Sequence, residues 1–237
     1  MNKMEKIEQD GKPYRKTVAK ILNYIKPHVV LDIACGDGWT GKALTYDVTL
    51  HGIDYYSPPP FGYDKFITAD INKGVPDNLG MHDAVVCCET MHYLQNPGLF
   101  LQSVRRHLQT QGMFIVTVPN PTYSGARLNY FLQGFPRSYS YFVQNAIPMS
   151  HMPWLSLGLF QLWLLLGLNG FKDIKVHDVE EKKPKNIYEI PLGWFAKKYY
   201  RRRLKGSNSE NERHLWTQAL SDQVIYGRHL VISAIAE

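Results

Sequence analysis

The most constraining feature of this sequence is the segment Leu31-Asp-Ile-Ala-Cys-Gly-Asp-Gly38, in which a short apolar run meets two closely spaced glycines. The apolar run over residues 28–35 is typical of a buried parallel strand. Glycines at 36 and 38 let the backbone turn sharply and approach a ligand closely. Free N–H groups at the start of the following helix can then bind a carboxylate or phosphate. The segment predicts a ligand site at the carboxyl end of a first strand.

Further along the chain, apolar runs rich in β-branched residues alternate with amphipathic helical patterns. This alternation predicts βαβ units, and hence an α/β fold with a doubly wound, mostly parallel sheet. The predicted strands are 28–35, 48–55, 65–71, 82–88, 112–118, 171–179 and 227–236. The predicted helices are 14–26, 39–46, 96–108 and 154–168.

The length of 237 residues fits one such domain with insertions. An N-terminal helix is predicted over residues 1–27, ahead of a main domain over 28–237. The regular alternation breaks after Asn120, where an aromatic stretch and an apolar helix predict an inserted helical cap over 121–169. A polar, basic excursion follows over 180–221.

Three aspartates are predicted to surround the glycine turn. Asp32 lies inside the first strand, where a buried carboxylate suits a cationic ligand better than a pyrophosphate. Asp54 ends the second strand, where it can accept hydrogen bonds from both hydroxyls of a ribose. Asp70 ends the third strand and can bind an adenine amino group, with Ile71 against the ring face. Asp54 and Asp70 are also residue types that cap helices and form turns.

Gly41 completes a G-x-G-x-x-G pattern, so an NAD(P)-dependent oxidoreductase is an alternative from a different enzyme class. Asp54 would bind the ribose of either ligand and does not discriminate. Asp32 favours a cationic ligand, such as the sulfonium and ammonium groups of S-adenosylmethionine. A catalytically silent binding module with the same fold is the second alternative.

Four ordered motifs resemble those of class I S-adenosylmethionine-dependent methyltransferases, in the branch that methylates small molecules, quinones and glycans. They are D-I-A-C-G-D-G at 32–38, G-I-D at 52–54, A-D-I at 69–71 and D-A-V-V-C-C-E at 83–89. The resemblance implies a seven-stranded Rossmann-like sheet with an antiparallel C-terminal strand pair, and S-adenosylmethionine across the carboxyl ends of the first strands. The cofactor-binding residues that it implies are Asp32, Ala34, Cys35, Gly36, Gly38, Asp54, Tyr55, Asp70, Ile71, Cys88 and Glu89.

Within that set, the resemblance places Cys88 and Glu89 beside the sulfonium. Some quinone O-methyltransferases hold a metal with a Glu-Glu-His cluster after the fourth strand. The corresponding stretch here is E-T-M-H-Y at 89–93, which breaks that pattern, so no metal is expected.

Methyl transfer from a sulfonium is an in-line displacement that depends mainly on placing and desolvating the nucleophile. A base is needed only where the acceptor loses a proton. The candidate bases are His92, after the fourth strand, and His151, before the apolar helix. A structural, hydrogen-bonded histidine is the alternative interpretation of each.

The excess of positive charge is local. The net charge is +6, and six Lys and Arg residues between 197 and 205 account for it, with no acidic residue between Glu189 and Glu210. This basic run predicts contact with an anionic membrane surface, RNA binding or a solvated basic face. The aromatic residues of 121–153 suit a planar small-molecule, glycan or lipid-linked acceptor, or else form a small satellite core under the cap; nucleic acid is not an expected partner.

The remaining composition indicates a cytosolic protein that can be peripheral to a membrane. The three cysteines, Cys35, Cys87 and Cys88, include an adjacent pair and form no disulfide framework. The N-terminus has no apolar signal region. The longest apolar run, at 154–168, is shorter than the ~20 residues that a membrane span needs.

Overall fold

The structure is a computed structural model that describes residues 12–56, 62–134 and 155–237. Seven strands form one sheet in these residues. The strands are β1 (Val29–Ile33), β2 (Thr49–Asp54), β3 (Lys65–Thr68), β4 (His82–Cys88), β5 (Leu108–Pro119), β6 (Phe171–His177) and β7 (His229–Ala236).

The strand order is β3-β2-β1-β4-β5-β7-β6. Strands β1 to β5 are parallel, and β7 lies antiparallel between β5 and β6. The carboxyl ends of β1 to β5 therefore meet at one edge of the sheet. Because β7 runs the opposite way, its first residue, His229, lies at that edge too, opposite Pro119 at the end of β5.

Helices cover both faces of the sheet. The helices are α1 (Pro13–Ile25), α2 (Trp39–Ala43), α3 (Pro97–Arg106), α4 (Ser124–Gln133), α5 (Leu159–Leu168), α6 (Glu189–Lys205), α7 (Glu210–Ala219) and α8 (Asp222–Tyr226). One core packs α1 and α2 against the sheet through residues such as Val18, Leu22 and Val86. The other packs α3, α5 and α6 against the opposite face, around Phe100, Leu162 and Tyr200.

The predicted fold class is confirmed: the sheet is doubly wound, seven-stranded and mostly parallel. Most predicted bounds differ from the structure by one to three residues, and two predicted starts differ by more. Strand β5 starts at Leu108, because residues 108–111 continue the ladder through a register shift between His82 and Ala84 on β4. The apolar helix begins at Leu159, and residues 155–158 before it are not helical.

The basic run lies on α6, a helix of 17 residues. Among the residues that the structure describes, none of the helices has both the length and the apolar character needed to cross a bilayer.

Candidate functional site

The turn after β1 brings three residues into the left-handed region of backbone conformation within five positions. Ala34, Gly36 and Gly38 have φ angles of 57°, 52° and 69°. The Cys35 N–H donates to the Ile53 carbonyl oxygen at 3.1 Å, which fixes the turn against β2. A Cβ atom at Gly36 would meet no atom within 4 Å. Glycine is therefore needed at 36 for its backbone conformation, and the space above the turn is open to a ligand.

Asp54 connects the end of β2 to this turn. Its Oδ2 accepts the Gly36 N–H at 2.8 Å, and its Oδ1 accepts the Tyr56 N–H at 3.1 Å. A carboxylate has about four lone-pair positions, so each oxygen can accept a further hydrogen bond from a ligand hydroxyl. Asp54 is only partly buried, and it thus combines a structural role in the turn with an accessible acceptor.

Asp32 lies in β1 beneath the turn and is 1% exposed. Its Oδ2 accepts the Tyr63 hydroxyl at 2.5 Å. Burial raises the pKa of Asp32 to about 6, although hydrogen bonds from Tyr63 and Thr40 work in the opposite direction. Asp32 is thus ionised at neutral pH and contributes negative charge below the turn, while the Tyr63 side chain covers it.

Asp70 lies beside Asp54, because the Ala69 N–H donates to the Asp54 carbonyl oxygen at 2.9 Å. Its Oδ1 accepts both the backbone N–H and the side-chain amide of Asn72, at 3.0 and 3.1 Å. Asp70 therefore forms the turn that begins a short 3-10 helix. Ile71 in that turn packs against the core.

The predicted residues Cys35, Cys88 and Tyr55 lie at the same edge with different environments. Cys35 is buried, and burial raises its pKa far above the usual thiol range. Burial likewise raises the pKa of the half-buried Cys88 well above normal. Both thiols are therefore neutral and unreactive as nucleophiles. Tyr55 is exposed and packs its ring against Tyr56 at 5.3 Å.

Helix α1 lies beside the glycine turn and contacts it through Arg15. Arg15 forms an ion pair with Asp37 at 3.0 Å and lies 5.3 Å from the centre of the Trp39 ring. Burial raises the pKa of Asp37, but the hydrogen bond and charge of Arg15 outweigh that effect, and the net pKa is lowered. This contact between α1 and the glycine turn was not predicted from the sequence.

Glu89, the first residue after β4, has a φ of 51°. Its N–H donates to the Thr117 carbonyl at 3.0 Å, and the Thr117 hydroxyl donates to its Oε1 at 2.9 Å. Burial raises the pKa of Glu89, although the charge of His229 acts in the opposite direction. The strained backbone thus holds a partly buried carboxyl beside the end of β5.

Of the two predicted bases, His92 is 2% exposed. Burial lowers its pKa to about 4, its ring packs 4.2 Å from that of Tyr93, and its carbonyl oxygen accepts the Leu155 N–H at 3.3 Å. The structure thus gives His92 a buried environment with little access for a ligand. His151 lies outside the described residues.

A different histidine, His229, lies at the edge where β4 and β5 end. Its Nδ1 donates to Glu181 Oε1 at 2.5 Å, and its Nε2 lies 4.0 Å from Glu89 Oε2. The Tyr14 ring of α1 lies 5.2 Å from the imidazole. Sequence reasoning missed His229 and Glu181, because no local motif marks a residue that reaches the site through an antiparallel last strand.

In residues 12–56, 62–134 and 155–237, no group of three or more His, Cys, Asp or Glu side chains has an arrangement that could hold a metal ion.

A family model described as a methyltransferase domain matches residues 7–173. A search of curated proteins gave no match. The plantazolicin methyltransferase BpumL, solved with SAH and a monoazolic desmethylPZN analog, is 15% identical, with a TM-score of 0.55 over 98% of this chain and 88% of its own. An S-adenosylmethionine-dependent methyltransferase from Archaeoglobus fulgidus is 17% identical, with a TM-score of 0.52 over 93% and 94%.

The YcgJ protein from Bacillus subtilis is 15% identical, with a TM-score of 0.58 over 94% of this chain and 98% of its own. At these identities the solved structures establish the shared fold. The family match covers more than half of the chain and includes every predicted cofactor-binding residue.

Proposed function

Because this chain belongs to the methyltransferase-domain family, we propose that it transfers the methyl group of S-adenosylmethionine to a hydroxyl oxygen of a small-molecule, glycan or lipid-linked acceptor. The family match and the class I sheet make S-adenosylmethionine the methyl donor, and the acceptor class is the part that we infer. The observation that supports the donor site best is the hydrogen bond from the Gly36 N–H to Asp54, which joins the glycine turn to the end of β2.

The chemistry of the residues at this edge fits the donor. Asp54 and Asp70 are partly exposed acceptors that suit the ribose hydroxyls and the adenine amino group. The ionised Asp32 below the turn favours a positively charged ligand over a pyrophosphate. The open space above Gly36 admits the methionine portion. When bound, S-adenosylmethionine supplies an activated methyl group on sulfur.

The exposed face of α6 supports an acceptor that is lipid-linked or delivered from a membrane surface. Its N-terminal half exposes Ile190, Trp194 and Phe195, with Trp194 and Phe195 exposed by 52% and 62%. Its C-terminal half is basic. Lys198, Arg201, Arg202 and Lys205 are exposed, and none of them forms an ion pair within the part of the chain that the structure describes. Aromatic residues next to cations are typical of helices that lie in the interface of anionic membranes.

Helix α6 is joined to the end of the sheet where the acceptor is proposed to bind. Glu189, the first residue of α6, is fully buried and forms an ion pair with Arg228 at 2.8 Å. Arg228 precedes His229, and its carbonyl oxygen accepts the Asn120 N–H at 2.7 Å at the end of β5. A helix that contacts lipid would therefore hold the carboxyl edge of the sheet close to the membrane.

Calorimetry with SAH and with NADH tests the donor assignment. SAH should bind and NADH should not, and the reverse result would favour the oxidoreductase. Asp54→Ala should weaken SAH binding by about tenfold or more, because two hydrogen bonds to the ribose hydroxyls, together worth ~1–3 kcal/mol, are lost. Asp47→Ala is the matched control, since Asp47 is exposed and precedes the opposite end of the same strand. Equal losses in the two variants would refute the ribose assignment.

The acceptor is tested by incubating the protein with methyl-labelled S-adenosylmethionine and cell extract, and then fractionating the labelled products. Label in an ether or ester of a lipid, glycan or small molecule supports the proposal. Label in RNA or on nitrogen would overturn it. SAH binding without turnover on any fraction would favour the silent binding module.

Membrane contact is tested with vesicles of phosphatidylcholine alone and with added phosphatidylserine. The wild type should bind only the anionic vesicles. Each cation contributes about 1 kcal/mol near such a surface, so a triple change of Lys198, Arg201 and Arg202 to Gln should weaken binding about 100-fold. Trp194→Ser should weaken it less, and Tyr24→Ser, at an exposed position on α1, should not. Equal binding to neutral vesicles, or an equal effect of Tyr24→Ser, would contradict the proposed contact.

A further inference from the structure

Three ionisable side chains from distant parts of the chain meet at the carboxyl edge of the sheet. Glu89 follows β4, Glu181 follows β6, and His229 begins β7. Glu181 accepts the Nδ1–H of His229 at 2.5 Å, so the ring has a fixed orientation and its Nε2 points towards Glu89. We call this set of residues the acid–histidine cluster.

The distance between His229 Nε2 and Glu89 Oε2 shows that a ligand atom can fit between them. At 4.0 Å, Nε2 and Oε2 are too far apart for a direct hydrogen bond. A substrate hydroxyl can, however, donate its one hydrogen to Nε2 at about 2.8 Å and lie beside Glu89. The side chains of His229 and Glu89 are 27% and 21% exposed, so a ligand can reach them. His92 is 2% exposed and has no comparable access.

We propose that His229 is the base that accepts the proton from the acceptor hydroxyl, with Glu181 positioning its ring and Glu89 on the opposite side of that hydroxyl. This proposal rests on the proposed function, because it requires an acceptor that loses a proton. It assigns the base to the last strand of the sheet, whereas the sequence points to His92 and His151.

The proposed step needs no reactant other than the acceptor and S-adenosylmethionine. The acceptor O–H bond breaks and its proton moves to His229 Nε2. An oxygen lone pair forms the new O–CH₃ bond, and the electrons of the broken C–S bond remain on sulfur. The imidazolium that forms lies between the carboxylates of Glu181 and Glu89, which stabilise its charge.

The electrostatic surroundings set the pH range in which His229 can act. Burial lowers the pKa of His229, but the hydrogen bond to Glu181 and the charges of Glu89 and Glu181 outweigh burial and leave the pKa raised. Lys185 acts in the opposite direction, and His92 and Tyr14 face the cluster from the two neighbouring elements. A base must be neutral to accept a proton, so transfer should increase as pH rises through this raised pKa.

The test compares His229→Gln and Glu181→Gln with His177→Gln. His177 is a matched control, since it lies on the adjacent strand β6 and bonds Ser233 Oγ at 2.7 Å, an interaction that glutamine can retain. With the acceptor fraction that the wild type labels, His229→Gln should slow methyl transfer at least about 100-fold, the usual contribution of a general base. Glu181→Gln should slow it about tenfold and move the acidic limb of the pH profile to lower pH. His177→Gln should leave the rate unchanged.

Two measurements that need no acceptor separate this inference from the proposed function. Calorimetry should give the same SAH affinity for His229→Gln as for the wild type. If the wild type did not bind SAH, the proposed methyltransferase function itself would be contradicted. NMR titration of the ¹³C-labelled histidine rings should give His229 a pKa above the usual value, lowered by Glu181→Gln. A wild-type transfer rate in His229→Gln, or a titration unaffected by Glu181→Gln, would overturn the role of the acid–histidine cluster.

Discussion

The two ends of the sheet's carboxyl edge are built in different ways. At the β1–β2 end, Asp32, the glycine turn and Asp54 lie within 22 positions of the chain, and Asp54 is joined to the turn through a backbone N–H group. At the β5–β7 end, side chains pair across much longer separations. Glu181 and His229 are 48 residues apart, and Glu189 and Arg228 are 39 apart.

This difference separates the two tasks of the site. A cofactor common to a whole family can be bound by a local turn whose backbone geometry recurs in every member. An acceptor differs between members, so its site is assembled from side chains on loops and on the last strand. We therefore expect substitutions at the β1–β2 end to act on cofactor binding and substitutions at the β5–β7 end to act on acceptor chemistry, while buried groups at either end also affect stability.

The largest effect on stability is expected at the β5–β7 end, from Arg228→Met. Glu189 is fully buried, and its carboxylate would lose its ion pair while keeping only the bonds from Asn186 and the Lys185 N–H. Breaking a buried pair by removing one partner costs about 3–5 kcal/mol. Urea unfolding should show a loss of this size in the free energy of unfolding.

Lys182→Met is the control for that measurement. Lys182 pairs with Asp178 on the surface, with both side chains well exposed. An exposed i,i+4 pair contributes at most about 0.5 kcal/mol. Similar losses in the two variants would mean that the Glu189–Arg228 pair does not anchor α6 to the sheet.

The next largest effect is a pH dependence at the β1–β2 end. The folded pKa of Asp32 is about 6, above its ordinary value of 3.8, so the folded state binds the proton more tightly. Stability due to this group is therefore greatest at low pH and is lost as pH rises from about 4 to 6. The shift corresponds to about 3 kcal/mol.

Asp32→Asn removes this titration and should flatten that part of the stability curve. Above pH 6 the variant should be more stable than the wild type, provided that the amide oxygen still accepts the Tyr63 hydroxyl. Its SAH affinity should fall, because the negative charge below the turn is gone. Parallel stability curves for the two proteins would show that Asp32 does not carry a buried charge.

The fold was predictable because its signals are local. β1 and β4 are mainly apolar, as is typical of strands that are covered on both faces, and the lengths between strands fit βαβ connections. The position of Asp54 beside the turn was predictable because the ends of adjacent parallel strands meet at one edge. The contact of Arg15 with Asp37 was not predictable, because nothing in the sequence fixes where α1 lies relative to the turn.

His229 shows the limit of sequence reasoning most clearly. His92 follows β4 directly and is a candidate base from the sequence, yet the chain buries it against Tyr93. His229 reaches the edge only because β7 inserts antiparallel between β5 and β6. A histidine at the start of a last strand has no local signature, and its partner Glu181 lies in a polar segment without a motif.

A smaller effect is expected from Gly52→Ala in β2. A Cβ at this position would lie 2.7 Å from the Tyr63 ring, which covers Asp32. Such overpacking costs about 1–3 kcal/mol, and displacement of the ring would also weaken the hydrogen bond to Asp32. Urea unfolding measures the loss of stability. Because loss of the Tyr63 hydrogen bond raises the pKa of Asp32 further, the pH midpoint of the stability change due to Asp32 should move to higher pH. Wild-type stability in this variant would show that the ring has room to move.

The smallest stability effect is expected from Gly36→Ala, where the reason for glycine is different. No atom lies within 4 Å of the new Cβ, so only the φ of 52° is unfavourable, at about 1 kcal/mol. The methyl group would nevertheless project into the open space above the turn, where the donor is expected to bind. SAH affinity measured by calorimetry should therefore fall by tenfold or more while the free energy of unfolding changes little. Gly52→Ala should give the opposite balance, with a larger loss of stability and a smaller loss of affinity. If both glycine variants lost affinity only in proportion to stability, the turn after β1 would have a structural role alone, and the division of the edge into a cofactor end and an acceptor end would fail.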